Sequence, residues 1–295
     1  MIENQIFRLK SIKIVLTFFF LWITTQFDIH IENYLAYFFI LSLGILHGSN
    51  DIKLVRNINN LRGSAYLKIV ILYVLTVVLT FTIFMFFPKI GLTLFVIISG
   101  YHFGEQHLSD KFKSIKKYRY PLYTTYGLLI FSMIFFTHFE EVSLIIENIS
   151  GMTLDLNYYK FFLIGVAFMT LVIAMMQIYQ GNLEINVFEE IGYLLLFYIL
   201  FLNSTLFWSF AIYFIVWHSI PSLKDQILNL YHEVSLQTIR RYLNESWIYW
   251  IISVIGIILL VQFTKDDIEL FNLLFFALLA SITLPHVIIL AKMHE

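Results

Sequence analysis

The chain has 295 residues, of which 59% are hydrophobic, 18% aromatic and only 13% charged, with a formal net charge of −1. A soluble domain carries roughly twice that charged fraction, so the composition is that of an all-α, polytopic membrane protein, read as one integral-membrane domain over 1–295. The near-neutral balance, without a basic amphipathic arm, speaks against nucleic-acid binding. The absence of cysteine excludes disulfides, iron–sulfur clusters and thiolate ligands, so any metal must rest on His, Asp, Glu, Tyr or backbone.

A membrane span needs about 20 mostly apolar residues, and about ten helices follow along the chain. They are expected near 12–27, 31–48, 66–87, 89–108, 121–138, 159–180, 187–202, 204–221, 247–263 and 268–290. The first follows Arg8, Lys10 and Lys13, the flank of a signal peptide. No small-residue cleavage site comes after it, so it is expected to be a retained helix. Asn203 and Ser204 are the only break in 187–221, which fits two short tilted helices or one span plus a re-entrant piece. The soluble segments 50–65, 109–120, 139–158 and 222–246 are short.

Lysine and arginine orient such a chain. With the N-terminus inside, the inner segments carry Arg8, Lys10 and Lys13; Lys53, Arg56 and Arg62; Lys111, Lys113, Lys116, Lys117 and Arg119; Lys224, Arg240 and Arg241; and Lys292. The outer segments hold only Lys89, Lys160 and Lys265, with acidic Glu140, Glu141, Glu147 and Asp155. Both termini are therefore expected in the cytoplasm, with the chain a multi-pass protein of the inner (cytoplasmic) membrane.

In this topology the second, fourth, eighth and tenth helices run inward, and each bears a histidine near its inner end: His47 in ILHGSND, His102 in SGYHFGEQH, His218 in VWHSIPS and His286 in TLPHVII. Ionisable groups at this depth are costly and usually have a partner or a task, and converging neutral imidazoles are common metal ligands. Asp51, one turn past His47, would orient a ligating imidazole, although His47 and Gly48 also suit a plain helix C-cap. Gln106 shares a helical face with His102, whereas His107 is rotated away. Gln106 reads as a group supporting the ligands, and Glu105 and His107 as supporting groups, alternative ligands or polar residues at the water boundary. Pro221 and Pro285 abut His218 and His286, as kinks or packing devices. Tyr101, Phe103, Tyr213, Phe214 and Trp217 neighbour the histidines and could wall a substrate site; Trp217 and Trp208 also suit interfacial anchors. His30, His138, His232 and His294 are expected to be surface residues.

At these residues the chain resembles the Brp/Blh family of bacterial and archaeal membrane proteins, the β-carotene 15,15′-dioxygenases. The matching pieces are His47-Gly48 with Asp51, His102-Phe103-Gly104, Tyr213-Phe214 with Trp217-His218-Ser219, and Pro285-His286, spread in the family's order over nearly the whole chain. The resemblance implies a histidine-held non-haem Fe(2+) that uses O2 to split β-carotene at its central double bond into two retinal, often for a rhodopsin. Two positions depart from the pattern. Ser222 stands where a further histidine is frequent, and HFG is followed by Glu105 rather than Asp. The implied ligands are thus His47, His102, His218 and His286, with His107 as the substitute for the fourth.

Competing readings are a haem- or retinoid/carotenoid-binding membrane protein without oxygenase activity, serving electron transfer or opsin assembly; an ion transporter with a histidine relay; and a two-metal lipid hydroxylase. The last is disfavoured because no HxxxH-type pairs lie in the predicted spans. HExxH, P-loop and dinucleotide signatures are absent.

Overall fold

The computed structural model describes residues 2–58, 62–113 and 119–293, and these are almost entirely helical. The helices are α1 (Ile2–Thr24), α2 (Ile29–Phe39), α3 (Asp51–Ile58), α4 (Gly63–Phe86), α5 (Pro88–Leu108), α6 (Arg119–Thr137), α7 (Phe139–Ser150), α8 (Leu156–Tyr179), α9 (Val187–Leu202), α10 (Leu206–Ile212), α11 (Ile220–Tyr231), α12 (Leu236–Phe263) and α13 (Ile268–Met293). Helices α4, α6, α8, α12, α13 and the continuous run α10–α11 are long and apolar enough to cross a membrane. Their outward faces are hydrocarbon: on α4, for example, Leu72, Leu75 and Leu79 are all exposed.

The stretch 187–221 is two helices, parted where Thr205 caps the N-terminus of α10 through Trp208 N. The second helix passes Pro221, which sits just after the π turn at the start of α11, and ends only at Tyr231. Segments outside the expected spans are helical too. α3 and α7 are short amphipathic helices that bury Leu54 and Val55, and Val142 and Ile149, and α12 begins eleven residues before the predicted 247 at a Ser235–Thr238 capping box.

Two helices widen into π turns. α2 continues through Ile40–Gly44, and α10 passes into α11 through Tyr213–Ser219. The two turns pack against each other at Gly44, where a Cβ would stand 2.6 Å from Phe214 Cε1. Single π turns inside α-helices gather at functional sites, and these two carry or immediately precede His218 and His47.

The tightest helix pair is α5–α6. Gly100 and Gly104 form a small-xxx-small face on α5, and a Cβ at Gly104 would stand 1.8 Å from the Tyr123 carbonyl oxygen, as would one at Gly127 from that of Gly100. Within lipid no hydrophobic drive separates helix contacts from lipid contacts, so close backbone approach supplies the packing energy. At about 100° per residue, His102 lies on the face opposite both glycines, so clamping that face to α6 turns His102 toward α13 and the π turns.

Trp208 and Trp217, read from the sequence as interfacial anchors, are instead in the core. Trp208 packs edge-on against Phe20, and Trp217 Nε1 donates to Thr17 Oγ1 at 2.9 Å. Of the basic residues used for orientation, Lys10 pairs with Glu189 at 2.8 Å and Lys13 lies over the Trp217 ring. The Arg8 side chain, Lys116, Lys117 and His294 lie outside the described residues.

Gly104→Ala should lower stability in detergent by about 1–3 kcal/mol or more, since the clash is with backbone that cannot rotate away. Gly165→Ala on α8, where nothing lies within 4 Å, should leave the melting temperature unchanged or raise it; equal melting of both variants would remove the α5–α6 clamp.

Candidate metal centre

His47, His102, His218 and His286 come from four separate segments: the turn after the first π turn, the C-terminal part of α5, the second π turn and the C-terminal third of α13. All four are buried. One donor nitrogen from each of His47, His102 and His286 falls in a set whose members all lie within 4.8 Å of one another, close to the roughly 4 Å between opposite nitrogens on one small cation. His218 stands beside them, its ring 4.4 Å from His102 and 5.3 Å from His47, centre to centre.

Neighbouring groups decide which nitrogen each ring presents. His47 Nδ1 bonds to the Gly44 carbonyl oxygen in the π turn. A carbonyl can only accept, so Nδ1 carries the proton and Nε2 the lone pair. His286 Nδ1 meets Asp51 Oδ1 at 2.8 Å, which fixes the same tautomer and leaves Nε2 toward the cluster. Asp51 also accepts from Tyr73 OH at 3.2 Å. Among the described residues no protein group hydrogen-bonds to His286 Nε2 or to either nitrogen of His218. Each such buried atom costs about 1–3 kcal/mol, and neutral imidazole lone pairs crowded around one point are what a cation would offset.

Asp51 was expected to support His47; it bonds to His286, because the chain turns at His47–Asn50 and α3 leaves in a new direction. The His47 carbonyl is held instead by Gln226 Nε2 at 2.8 Å, and Gln226 Oε1 accepts from Tyr242 OH at 2.9 Å. Gln226 also donates to Ser222 Oγ. The Ser222 position therefore belongs to a polar ladder rather than to the ring cluster. The spacing His218–Ser222–Gln226 repeats every four residues and could have been read as one helical face; nothing in the sequence pointed to Tyr73 or Tyr242.

The remaining candidates divide. Phe214 stacks on His218 and meets His47 edge-on at 5.4 Å, while Phe103 lies 4.7 Å from His218 and 5.5 Å from Tyr213. Phe103 and Phe214 wall the cluster, and Tyr213 stands behind Phe103. Tyr101 takes no part in the wall: it donates to Glu105 Oε1 at 2.7 Å and packs against Tyr120 and Tyr123. Gln106 donates to Asp225 Oδ2 at 2.8 Å, tying α5 to α11 rather than facing His102. Trp217 packs on Phe197 and Tyr193, toward α9.

His107 is not in the cluster. Its Nε2 lies 2.9 Å from Glu190 Oε2 and 3.0 Å from Tyr126 OH, in a separate buried group that includes Lys111. His30 and His232 are exposed as expected, but His138 is half-buried and bonds through Nε2 to Ser204 O at 2.8 Å, locking α6 to the α9–α10 turn.

The family described as beta-carotene 15,15′-dioxygenase matches residues 38–294. The chain belongs to that family. The matched span contains all four cluster histidines and Asp51, and leaves α1 outside. No curated protein and no solved structure gives a match. In this dioxygenase family member, then, the buried three-histidine group suits a metal ion, and the aromatic walls around it suit an apolar ligand.

Asp51→Asn preserves the shape of the side chain but removes the charge facing His286, and it should weaken metal binding about 10–100-fold. His107→Asn should retain the parent's metal content. Metal per chain by elemental analysis checks both, and loss of metal in the His107 variant would relocate the site.

Proposed function

We propose that this protein is an integral-membrane non-haem Fe(II) dioxygenase that cleaves the central 15,15′ double bond of β-carotene with O2 to give two retinal. The observation that carries this reading is the convergence of buried imidazoles from distant segments in a chain of the β-carotene dioxygenase family. His47, His102 and His286 would hold the metal, with His218 as the fourth imidazole. A shell of neutral nitrogens without thiolate suits Fe(II). Bound iron would supply activation of O2.

The protein's own groups do the rest. Gly44 O and Asp51 hold two rings in the tautomer that presents Nε2. Phe103, Tyr213 and Phe214 exclude water and offer only apolar contact, so a substrate without a polar handle is placed by shape. The overall change breaks one C=C bond, forms two C=O bonds from one O2, and needs neither a net proton nor an external electron. Bis-imidazole haem is less well supported: the rings pack edge-to-face with centres 4.4–5.3 Å apart, which leaves no flat slot for a macrocycle.

The whole chain would act as one domain in the inner membrane, with α1, α2, α5 and α9 spanning beside the six longer crossings to make ten. Both termini would lie in the cytoplasm, and the retinal made would serve a protein such as a rhodopsin.

In cells that make β-carotene, expression should bleach the carotenoid and yield retinal, and an Fe(II) chelator should block both. His47→Ala, His102→Ala, His218→Ala and His286→Ala should each lose metal and at least 100-fold of retinal formation, whereas His30→Ala should match the parent. Retinal made at the parent's rate by a metal-free variant would refute the assignment. Topology is testable because the chain has no cysteine. A single cysteine at Glu233 should be shielded from a membrane-impermeant maleimide in intact cells, and one at Asp266 should react; the opposite pattern would invert the orientation.

A further inference from the structure

A groove of about 50 Å³ runs between α4, α5 and α13, its lining ending one helical turn from His102 on α5 and two residues from His286 on α13. Its walls include Thr80 and Ile83 from α4, Leu94 and Ile98 from α5, and Thr283 and Leu284 from α13. It narrows at Gly91, where a Cβ would stand 2.8 Å from Phe84 Cα, so the absence of a side chain there lets α4 cross α5 and close the far end. Leu94 is 44% exposed, and the other walls named are half-buried. The groove is therefore open along its side to whatever surrounds the bundle, on a face where α4 presents almost nothing but hydrocarbon.

Two features give the groove a direction and a chemistry. Leu94, Ile98 and His102 follow one another at four-residue steps on one face of α5, and Thr283 and His286 are three apart on α13. At 1.5 Å per residue its α5 wall runs from Ile98, about 6 Å along the helix from His102, to Gly91, about 16 Å away, and its α13 wall ends at Leu284, two residues before His286. The two threonine side chains in its walls donate their hydroxyl protons to their own helices. Thr80 Oγ1 donates to Thr76 O at 2.8 Å and Thr283 Oγ1 to Leu279 O at 2.7 Å, so each threonine is already satisfied by its own helix. The groove offers an occupant no hydrogen-bonding group, which selects against retinoid alcohols, fatty acids and headgroups in favour of a bare hydrocarbon chain.

We propose that this groove is a lateral substrate channel that seats one arm of a linear polyene hydrocarbon taken directly from the bilayer, with the arm's inner end delivered to the histidine cluster. The proposal deepens the carotenoid-cleaving reading above and rests on it. Part of one arm in the groove, with the rest of the chain passing the cluster toward Phe103 and Phe214, brings the polyene to the imidazoles by apolar contact rather than by any polar group.

The test uses the purified full-length protein in detergent, with β-carotene in mixed micelles as the probe, and reads metal per chain, β-carotene retained through gel filtration, and retinal formed. Leu94→Trp and Ile83→Trp fill the groove from its open side without touching the histidines. They should keep the parent's metal content while retention and retinal formation fall at least tenfold. Leu75→Trp, elsewhere on the exposed face of α4, should match the parent in all three. Parent-like retention and cleavage by both groove variants would overturn the channel. If the parent retains β-carotene but forms no retinal, the cleavage reading fails. Retention then still decides the groove: loss in Leu94→Trp upholds it, and equal retention, or none in the parent, rejects it. Should the tryptophan variants lose metal through misfolding, Ile83→Ala removes contact without adding bulk; severalfold weaker retention supports the channel, and unchanged retention overturns it.

Discussion

The bond between Asp51 and His286 Nδ1 joins residues 235 apart in sequence, and the geometry of the centre depends on it. A carboxylate drawn into an apolar bundle costs several kcal/mol unless its lone pairs are used. Asp51, 2% exposed, spends them on the imidazole and on Tyr73 OH. That contact ties the start of α3 to the middle of α4 and the C-terminal third of α13, and it settles the His286 tautomer. The Gly44 carbonyl does the same for His47. Two rings are thus held from behind by groups that can only accept a proton, and their remaining nitrogens point inward.

The scaffold places the other two rings by backbone geometry. Gly100, Gly104 and Gly127 let α5 and α6 meet at backbone contact, which leaves His102 no face but the one opposite. In the second π turn the extra residue per turn rotates the side chains that follow, and Pro221, which has no N–H to donate, closes the turn into α11. Gly44 admits the Phe214 ring against the first π turn, so the two irregular turns brace each other where regular helices would hold these residues apart.

The group around His107 is an instructive contrast. It too is a buried histidine with acidic and aromatic neighbours, but its Nε2 is engaged by Glu190 and Tyr126, and Glu190 is further neutralised by Lys111. It links α5, α6 and α9 and has no inward lone pair to spare. What separates the His107 imidazole from the clustered ones is which nitrogens the protein satisfies, since burial is common to both.

The amino-acid sequence by itself determined the helical class and most helix positions and singled out the four histidines that meet, because twenty-residue apolar runs and histidines near their ends are properties of the covalent chain. It also carried the aromatic walls, since Phe103 and Phe214 lie one and four residues from a histidine. Only the tertiary structure decided that Asp51 serves His286, that Gln226 and Tyr242 hold the His47 carbonyl, that Trp208 and Trp217 are core, and that His107 stands apart. Those outcomes turn on which helix faces meet across the bundle and on where a helix widens into a π turn. Such long-range contacts and local changes of twist leave no periodic trace in a single strand of residues.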